Sequence, residues 1–509
     1  MKTLLIAVAV LMFLPKAHAQ SCSVTITPPS FTLQTGKTQV FTVSETNCSG
    51  TLSWTTPSCT PVNSCGTLSS TTSSSTTFTA PGASLSATTP EVITLTARYS
   101  GVRGSGGGSK SASITVTAVQ LNSLLNYQTA DVTDFQNNVV ANSLVTGVNV
   151  LMDWKTIESS NGSQSGGYSF TTFENGIASL FTLPGQSSPS YTKKINIIVQ
   201  GITGGCAIGT GATCGNTSTP AYVFTSGWAT TAGQSHALDV WYGCGYGISG
   251  TDTGFPAATE PAFYVAYENF MKEVLTQYSS TSALAPYIGY IRFGLSAGGE
   301  VYPFCEGTGH YSQSDWLTYV SNMDSYESTF NSGLSPKIQL MTSINQTYFP
   351  SNFTYPDDEA GYAISDGIGF GSQGLQQGDI SSTTPCPTQS STSDWCYLFY
   401  YPSVPTVPLE LQTTLLSDPA FASGGTIISG TPSQTGSLSQ IIPYAVANHA
   451  EIFELYAYDM LYAFDSNYCN LSGATQACSG GAPTYQSCYA TLLKETANGV
   501  APTAPYYCN

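Results

Sequence analysis

The chain has 509 residues, with 13 Lys and Arg against 30 Asp and Glu, a net charge of −17, and only 8% charged residues in all. A surface without basic clusters excludes nucleic acid and anionic membrane as partners, because both are held through Lys and Arg. The surface must stay soluble through neutral Ser, Thr, Asn, Gly and Tyr, a composition suited to neutral polar ligands.

The N-terminus has the order of a secretory leader. Lys2 is followed by an apolar run from Leu4 to Leu14, and Ala17-His18-Ala19 supplies a small–x–small cleavage site before Gln20. Residues 1–19 are therefore expected to be a signal peptide. The run is too short for a membrane span, and nothing later approaches ~18 consecutive apolar residues. Cysteine usage agrees with export to an oxidising compartment: Cys22, Cys48, Cys59 and Cys65 lie early, and ten more lie between Cys206 and Cys508. Even counts in both parts read as disulfides; Cys206 with Cys214, and Cys386 with Cys396, are plausible loop staples. No Cys–x–x–Cys pair or His cluster suggests a metal, and no cofactor is implied.

Residues 20–118 read as an all-β domain. Short alternating runs at Ser23–Thr27, Gln39–Glu45, Thr51–Thr55, Thr76–Ala80, Val92–Tyr99 and Ala112–Thr117 are separated by turn residues, with Trp54 available as core. About seven strands in ~100 residues predict a β-sandwich. The segments "SVTITPPSFTLQTGKTQVFTV", "LSWTT", "TTFTAPG" and "ITLTARYSG…SASITVTA" resemble the bacterial Ig-like domains appended to extracellular enzymes. That resemblance implies a spacer or weak binding module.

Residues 119–509 alternate strands with helices. Strands are expected at Ser123–Tyr127, Gly147–Met152, Lys194–Gln200, Ile288–Leu295, Lys337–Thr342, Gly367–Phe370, Val404–Leu411 and Ala450–Tyr456. Helical core spacing joins Phe173, Ile177 and Leu180, then Phe263, Tyr267, Phe270 and Val274, then Trp316, Val320, Met323 and Phe330. Eight strands with helices between them predict a (β/α)₈ barrel with disulfide-stapled insertions; an open doubly wound sheet is the alternative.

Two carboxylates stand out. The fourth strand, "YIGYIRFGLSAGGE", delivers Glu300 after two glycines that clear space for a ligand, with Arg292 as a candidate ion-pair partner. The seventh, "VPTVPLELQ", sets Glu410 in an apolar run, where an ionised carboxylate is costly unless used or paired. Strand ends elsewhere offer Asp153 and Trp154, Glu454 and Tyr456, while Trp241 and Tyr242 lie in the third insertion and Tyr302 in the "VYP" after Glu300. These are candidate substrate-binding residues, the aromatic ones as stacking platforms for sugar rings.

Together Glu300 and Glu410 resemble the catalytic pair of clan A glycoside hydrolases, barrel enzymes with an acid/base Glu after strand four and a nucleophile Glu on strand seven. The clan usually has Asn before the acid/base, where this chain has Gly299; "GGE…YP" is closer to the "GLGPxGE…YP" of the inverting beta-amylases. The resemblance implies a secreted hydrolase of O-glycosidic bonds in an oligo- or polysaccharide. Two rivals exist. Gly294-Leu-Ser296-Ala-Gly298 matches a serine-esterase elbow, with Asp366 and His449 in triad order. A barrel that binds glycans without cleaving them is the other. Gly245-Tyr-Gly247-Ile-Ser-Gly250 matches a dinucleotide fingerprint but follows no strand, which removes that reading.

Overall fold

A computed structural model describes residues 22–34, 38–48, 50–55, 57–60, 65–80, 91–100, 108–117, 120–124, 132–158, 167–203, 206–207, 218–224, 240–241, 253–256, 258–259, 261–301, 311–344, 354–375, 407–413, 438–447, 450–465 and 483–497. The chain divides into two compact units, with the main boundary between Thr117 and Ala118. Among the described residues no helix is long and apolar enough to cross a membrane.

The first unit is built of two sheets over one core. Ser23–Thr27, Thr38–Thr46, Ser75–Thr79 and Thr67–Leu68 form one antiparallel sheet. Thr51–Trp54, Ser58–Thr60, Glu91–Ser100 and Gly108–Thr117 form the other, joined by Ser30–Gln34, which runs parallel to Gly108–Thr117. Every strand expected from alternation is present. Three further strands complete the sheets: Ser30–Gln34, which alternates within the segment that carries the Ig-like resemblance, and Ser58–Thr60 and Thr67–Leu68, which are too short to show a period of two. Phe41 and Phe78 from one sheet meet Trp54, Ile93, Leu95 and Ile114 from the other. Disulfides join Cys22 to Cys48 and Cys59 to Cys65.

The second unit is a ring of eight parallel strands: β1 (Gln120–Leu124), β2 (Gly147–Asp153), β3 (Lys194–Gln200), β4 (Ile288–Arg292), β5 (Gln339–Ile344), β6 (Gly369–Leu375), β7 (Leu409–Thr413) and β8 (Ile452–Tyr456). Each pairs with the next, and β8 pairs with β1, so the sheet closes on itself. Closure disposes of the open-sheet alternative and leaves no unpaired edge in the ring. The first strand begins three residues earlier than alternation suggested, and the seventh begins later, after Pro408. Connecting helices include α1 (Thr171–Leu180), α2 (Pro261–Thr276), α3 (Gln313–Ser332), α4 (Thr354–Ser365), α5 (Leu438–Ala447), α6 (Ala457–Phe464) and α7 (Pro483–Ala497). Ser312 starts α3 through a capping box: its hydroxyl accepts from Asp315 N at 3.2 Å, and Asp315 Oδ2 accepts from Ser312 N at 2.8 Å.

Strand residues that alternate outward, such as Ile195, Ile197, Leu409, Leu411, Phe453 and Leu455, join the helices in one core. The inward set is different in kind. At its base Tyr290, Met341 and Ile452 form a small separate cluster, and above them lies a polar layer.

Candidate active site

Strand β4 does not run straight to Glu300. After Arg292 the chain leaves the ladder through 293–299 and rejoins it at Glu300–Val301, which pairs with β5. Gly298 and Gly299 take φ of 70° and 68°, a region open chiefly to glycine. A Cβ on Gly294 would lie 2.7 Å from the Glu300 carbonyl carbon. Sequence reading took these glycines as clearance for a ligand; the structure shows that the backbone excursion itself requires them. The excursion is fixed by Arg292 Nε donating to Gly298 O at 2.9 Å and Gly298 N donating to Gln200 Oε1 at 3.0 Å.

The ladder then carries one row across the ring. Glu300 pairs with Ser343, Ser343 with Gly371, and Gly371 with Glu410. Partners in a parallel sheet point to the same face, so the two glutamates belong to one row of inward positions. A Cβ on Gly371 would come 2.6 Å from Glu410 Cβ, so that glycine makes room for the β7 carboxylate.

Glu410 is held by two donors: Tyr290 OH at 2.8 Å on Oε1, and Arg292 Nη1 at 2.9 Å on Oε2. Arg292 Nη1 also donates to Glu454 Oε2 at 2.7 Å, and Nη2 donates to Gln412 Oε1 at 3.0 Å. The side chains of Arg292, Glu410 and Glu454 are all 0–1% exposed. Burial works against the Arg292 charge, but the carboxylates beside it outweigh burial and hold its pKa above the ordinary value. Tyr290 is pushed well up, first by burial and then by Glu410 and Glu454. A chain of amides reaches the same point: Asn196 Nδ2 donates to Asn149 Oδ1 at 2.7 Å, and Asn149 Nδ2 to Tyr290 OH at 3.0 Å.

Nearer the strand ends the polar layer continues. Asp153 Oδ1 accepts from Gln200 Nε2 at 2.9 Å and Ser218 Oγ at 2.6 Å. Tyr456 is hydrogen-bonded to Gln412, and its pKa is raised by burial and by nearby Glu454 and Glu300. Glu300, half-buried, thus belongs electrostatically to the same cluster as Tyr456, Gln412 and Glu454.

Several expected roles need correction. Trp154 is not a platform at the mouth: it starts a short helix, is fully buried, and packs on Phe263, Tyr267 and Phe270 of α2. Its indole N–H donates to Glu158 Oε2 at 2.7 Å. Glu454 is not exposed in a subsite but lies in the ion network. Arg292 bonds Glu410 and Glu454 instead of acting as the ion-pair partner expected for Glu300. Ser296 lacks the geometry of a nucleophile elbow. It is 3% exposed, its Oγ donates to Glu300 O at 2.8 Å, and a single 3₁₀ turn follows it where an elbow needs a helix. Trp241 lies in the short strand Val240–Trp241 of a separate three-stranded sheet. Tyr242, Tyr302, His449, residues 1–19 and the Cys386–Cys396 staple fall outside the described residues.

Sequence reading missed Tyr290, Gln412, Asn149, Asn196 and Gln200. Their signal was available: polar residues recur at every second position within otherwise apolar parallel strands, as in Tyr290 and Arg292, or Glu410 and Gln412. Among the described residues no group of three or more His, Cys, Asp or Glu side chains is placed to hold a metal.

No protein-family model matches the chain, and no curated protein matches it. Solved structures that align with it include several glycoside hydrolases. A GH42 beta-galactosidase from G. stearothermophilus aligns at 10% identity and TM-score 0.38, over 76% of this chain and 58% of that one. A xylanase from Cellvibrio japonicus aligns at 8% identity and TM-score 0.34, over 67% and 86%. A beta-galactosidase from the psychrophilic Marinomonas ef1 aligns at 8% and 0.34, over 66% and 53%. The aligned region thus spans little more than half of either galactosidase, and at these scores the likenesses carry no functional weight.

Proposed function

We propose that the ring is a glycoside hydrolase acting on a neutral oligo- or polysaccharide, with retention of anomeric configuration. The observation that carries this reading is the single register row that runs from Glu300 to Glu410 along the parallel ring. Glu300, half-buried at the strand end, is the general acid. It gives its proton to the glycosidic oxygen as Glu410 attacks the anomeric carbon and the C–O bond breaks. Water then adds to the anomeric carbon, Glu300 takes up its proton, and Glu410 leaves. Arg292 and Tyr290 orient Glu410 with one donor on each oxygen, while Asp153, Gln412 and Tyr456 supply polar and aromatic contacts around the sugar. The N-terminal unit serves as an Ig-like spacer or weak binding module, and the chain is exported after removal of residues 1–19.

The burial of Glu410 favours a second reading, a glycan-binding barrel in which the Arg292 network is purely structural. One experiment separates them. The full chain, Glu300→Gln and Glu410→Gln are each assayed for reducing-end release from a polysaccharide panel. Hydrolysis by the wild type, reduced by about 10³ or more in both variants with melting retained, supports the enzyme. Binding without hydrolysis supports the second reading.

A further inference from the structure

The fully buried network around Arg292 holds one guanidinium and two carboxyl groups, those of Glu410 and Glu454, whereas the reaction above uses one of those carboxyls. Glu410 and Glu454 stand on neighbouring strands, and both accept from a single nitrogen, Arg292 Nη1, at 2.9 and 2.7 Å. One guanidinium balances one ionised carboxylate: with a proton on the pair this cluster is neutral, and without it a fully buried site carries a net −1.

The donors decide which group is the acid. Glu410 receives Tyr290 OH at 2.8 Å and Arg292 at 2.9 Å, one on each oxygen. Among the described residues Glu454 receives only the guanidinium, at 2.7 Å on Oε2 and at a long 3.4 Å on Oε1. Burial, resisted by Arg292 and reinforced by Glu410, raises the Glu454 pKa far above the carboxylate range. The titratable groups facing it are Arg292 and Tyr290 from β4, Glu410 from β7 and Tyr456 on its own strand, with Glu300 beyond Tyr456.

We propose that Glu454 is a positioning residue, a neutral carboxylic acid that donates its proton to Glu410 and so fixes that carboxylate, ionised, for attack. The proposal rests on Glu410 being the nucleophile. It requires that glutamine substitute for Glu454, since an amide N–H can donate where the acid O–H did and the amide oxygen can still accept from Arg292. The network stays neutral in Glu454→Gln, so the substitution strands no buried charge.

The test uses the full chain, Glu454→Gln and Glu410→Gln, with the panel substrate that the wild type hydrolyses, and infrared spectra at neutral pH. The wild-type minus Glu454→Gln spectrum should show the loss of one protonated-carboxyl band. Activity of Glu454→Gln should stay within about fivefold, with the same pH profile, while Glu410→Gln loses about 10³. A folded Glu454→Gln as inactive as Glu410→Gln, or a carboxyl band lost in Glu410→Gln and kept in Glu454→Gln, overturns the proposal. An active Glu410→Gln instead overturns the nucleophile assignment, and the infrared difference still reports whether the Glu410–Glu454 pair carries a proton. Should Glu454→Gln melt early, Glu454→Met, neutral and near in volume, repeats the infrared arm: loss of the same band supports a proton on the pair, and its persistence refutes it.

Discussion

Raising the pH should weaken the outer helices before it reaches the ring. Asp324 and Glu327 on α3 and Glu359 on α4 are 0–1% exposed. Among the described residues neither oxygen of Asp324 or Glu327 has a hydrogen-bond partner, and Glu359 has only the Trp316 indole, 2.8 Å from Oε1. The charges acting on them are all carboxylates: Asp366 on Asp324, Glu268 and Asp324 on Glu327, and Asp324 and Asp358 on Glu359. Burial, more than these neighbours, pushes Glu359 up from 4.5 to about 8 and drives the other two well above their ordinary values. Below pH 4.5 the folded and unfolded chains both hold the Glu359 proton and nothing is lost. Between 4.5 and about 8 only the unfolded chain releases it, so stability falls with rising pH by about 1.4 kcal/mol per unit, reaching ~5 kcal/mol above pH 8. That is comparable with the whole net stability of many domains. Glu359→Gln keeps the acceptor for Trp316 and cannot ionise. By calorimetry it should melt within about 2 °C of the wild type near pH 5, and roughly 5–10 °C above it near pH 8. Equal melting at both pH values, or a variant destabilised by the same amount at both, would refute the reasoning.

Other outcomes follow from the same contacts. Arg292→Met should destabilise the ring by ~3–5 kcal/mol, because it strands Glu410 without its guanidinium; an unchanged melting temperature contradicts the network. Replacing Cys22 and Cys48 by Ser opens a loop of sequence separation 26 and should lower the stability of the first unit by ~3–4 kcal/mol. The helical circular-dichroism transition of the ring should not move. A chain beginning at Val119 should keep the kcat of the full protein on a soluble substrate, and a large loss in a folded sample would assign the first unit a part in the chemistry.

The ring was legible in the sequence because parallel strands buried on both faces read as apolar runs, and eight such runs alternate with helical spacing. The ordinals of Glu300 and Glu410 follow from that count alone. What position could not convey was direction. Asp153 and Trp154 both end a strand, but a helix starts at Trp154 and turns its ring outward onto α2, where Phe263, Tyr267 and Phe270 at helical spacing were already asking for a partner. Glu300 likewise follows a strand in sequence, yet it reaches the ring only because 293–299 loops out and back, a feature written in the positive φ of Gly298 and Gly299. The Arg292–Glu410–Glu454 network joins residues up to 162 apart in sequence, and no local period encodes it.

The assignment of Glu410 as nucleophile is tested most directly by trapping it. The folded wild-type chain is incubated with a panel of 2-deoxy-2-fluoro glycosides bearing good leaving groups, which form the glycosyl-enzyme but release it slowly, and is then digested and analysed by mass spectrometry. The account predicts one added glycosyl unit, carried by the peptide containing Glu410 and absent in Glu410→Gln. Covalent label on another carboxylate, or hydrolysis of the parent sugar with no label on Glu410, would contradict it.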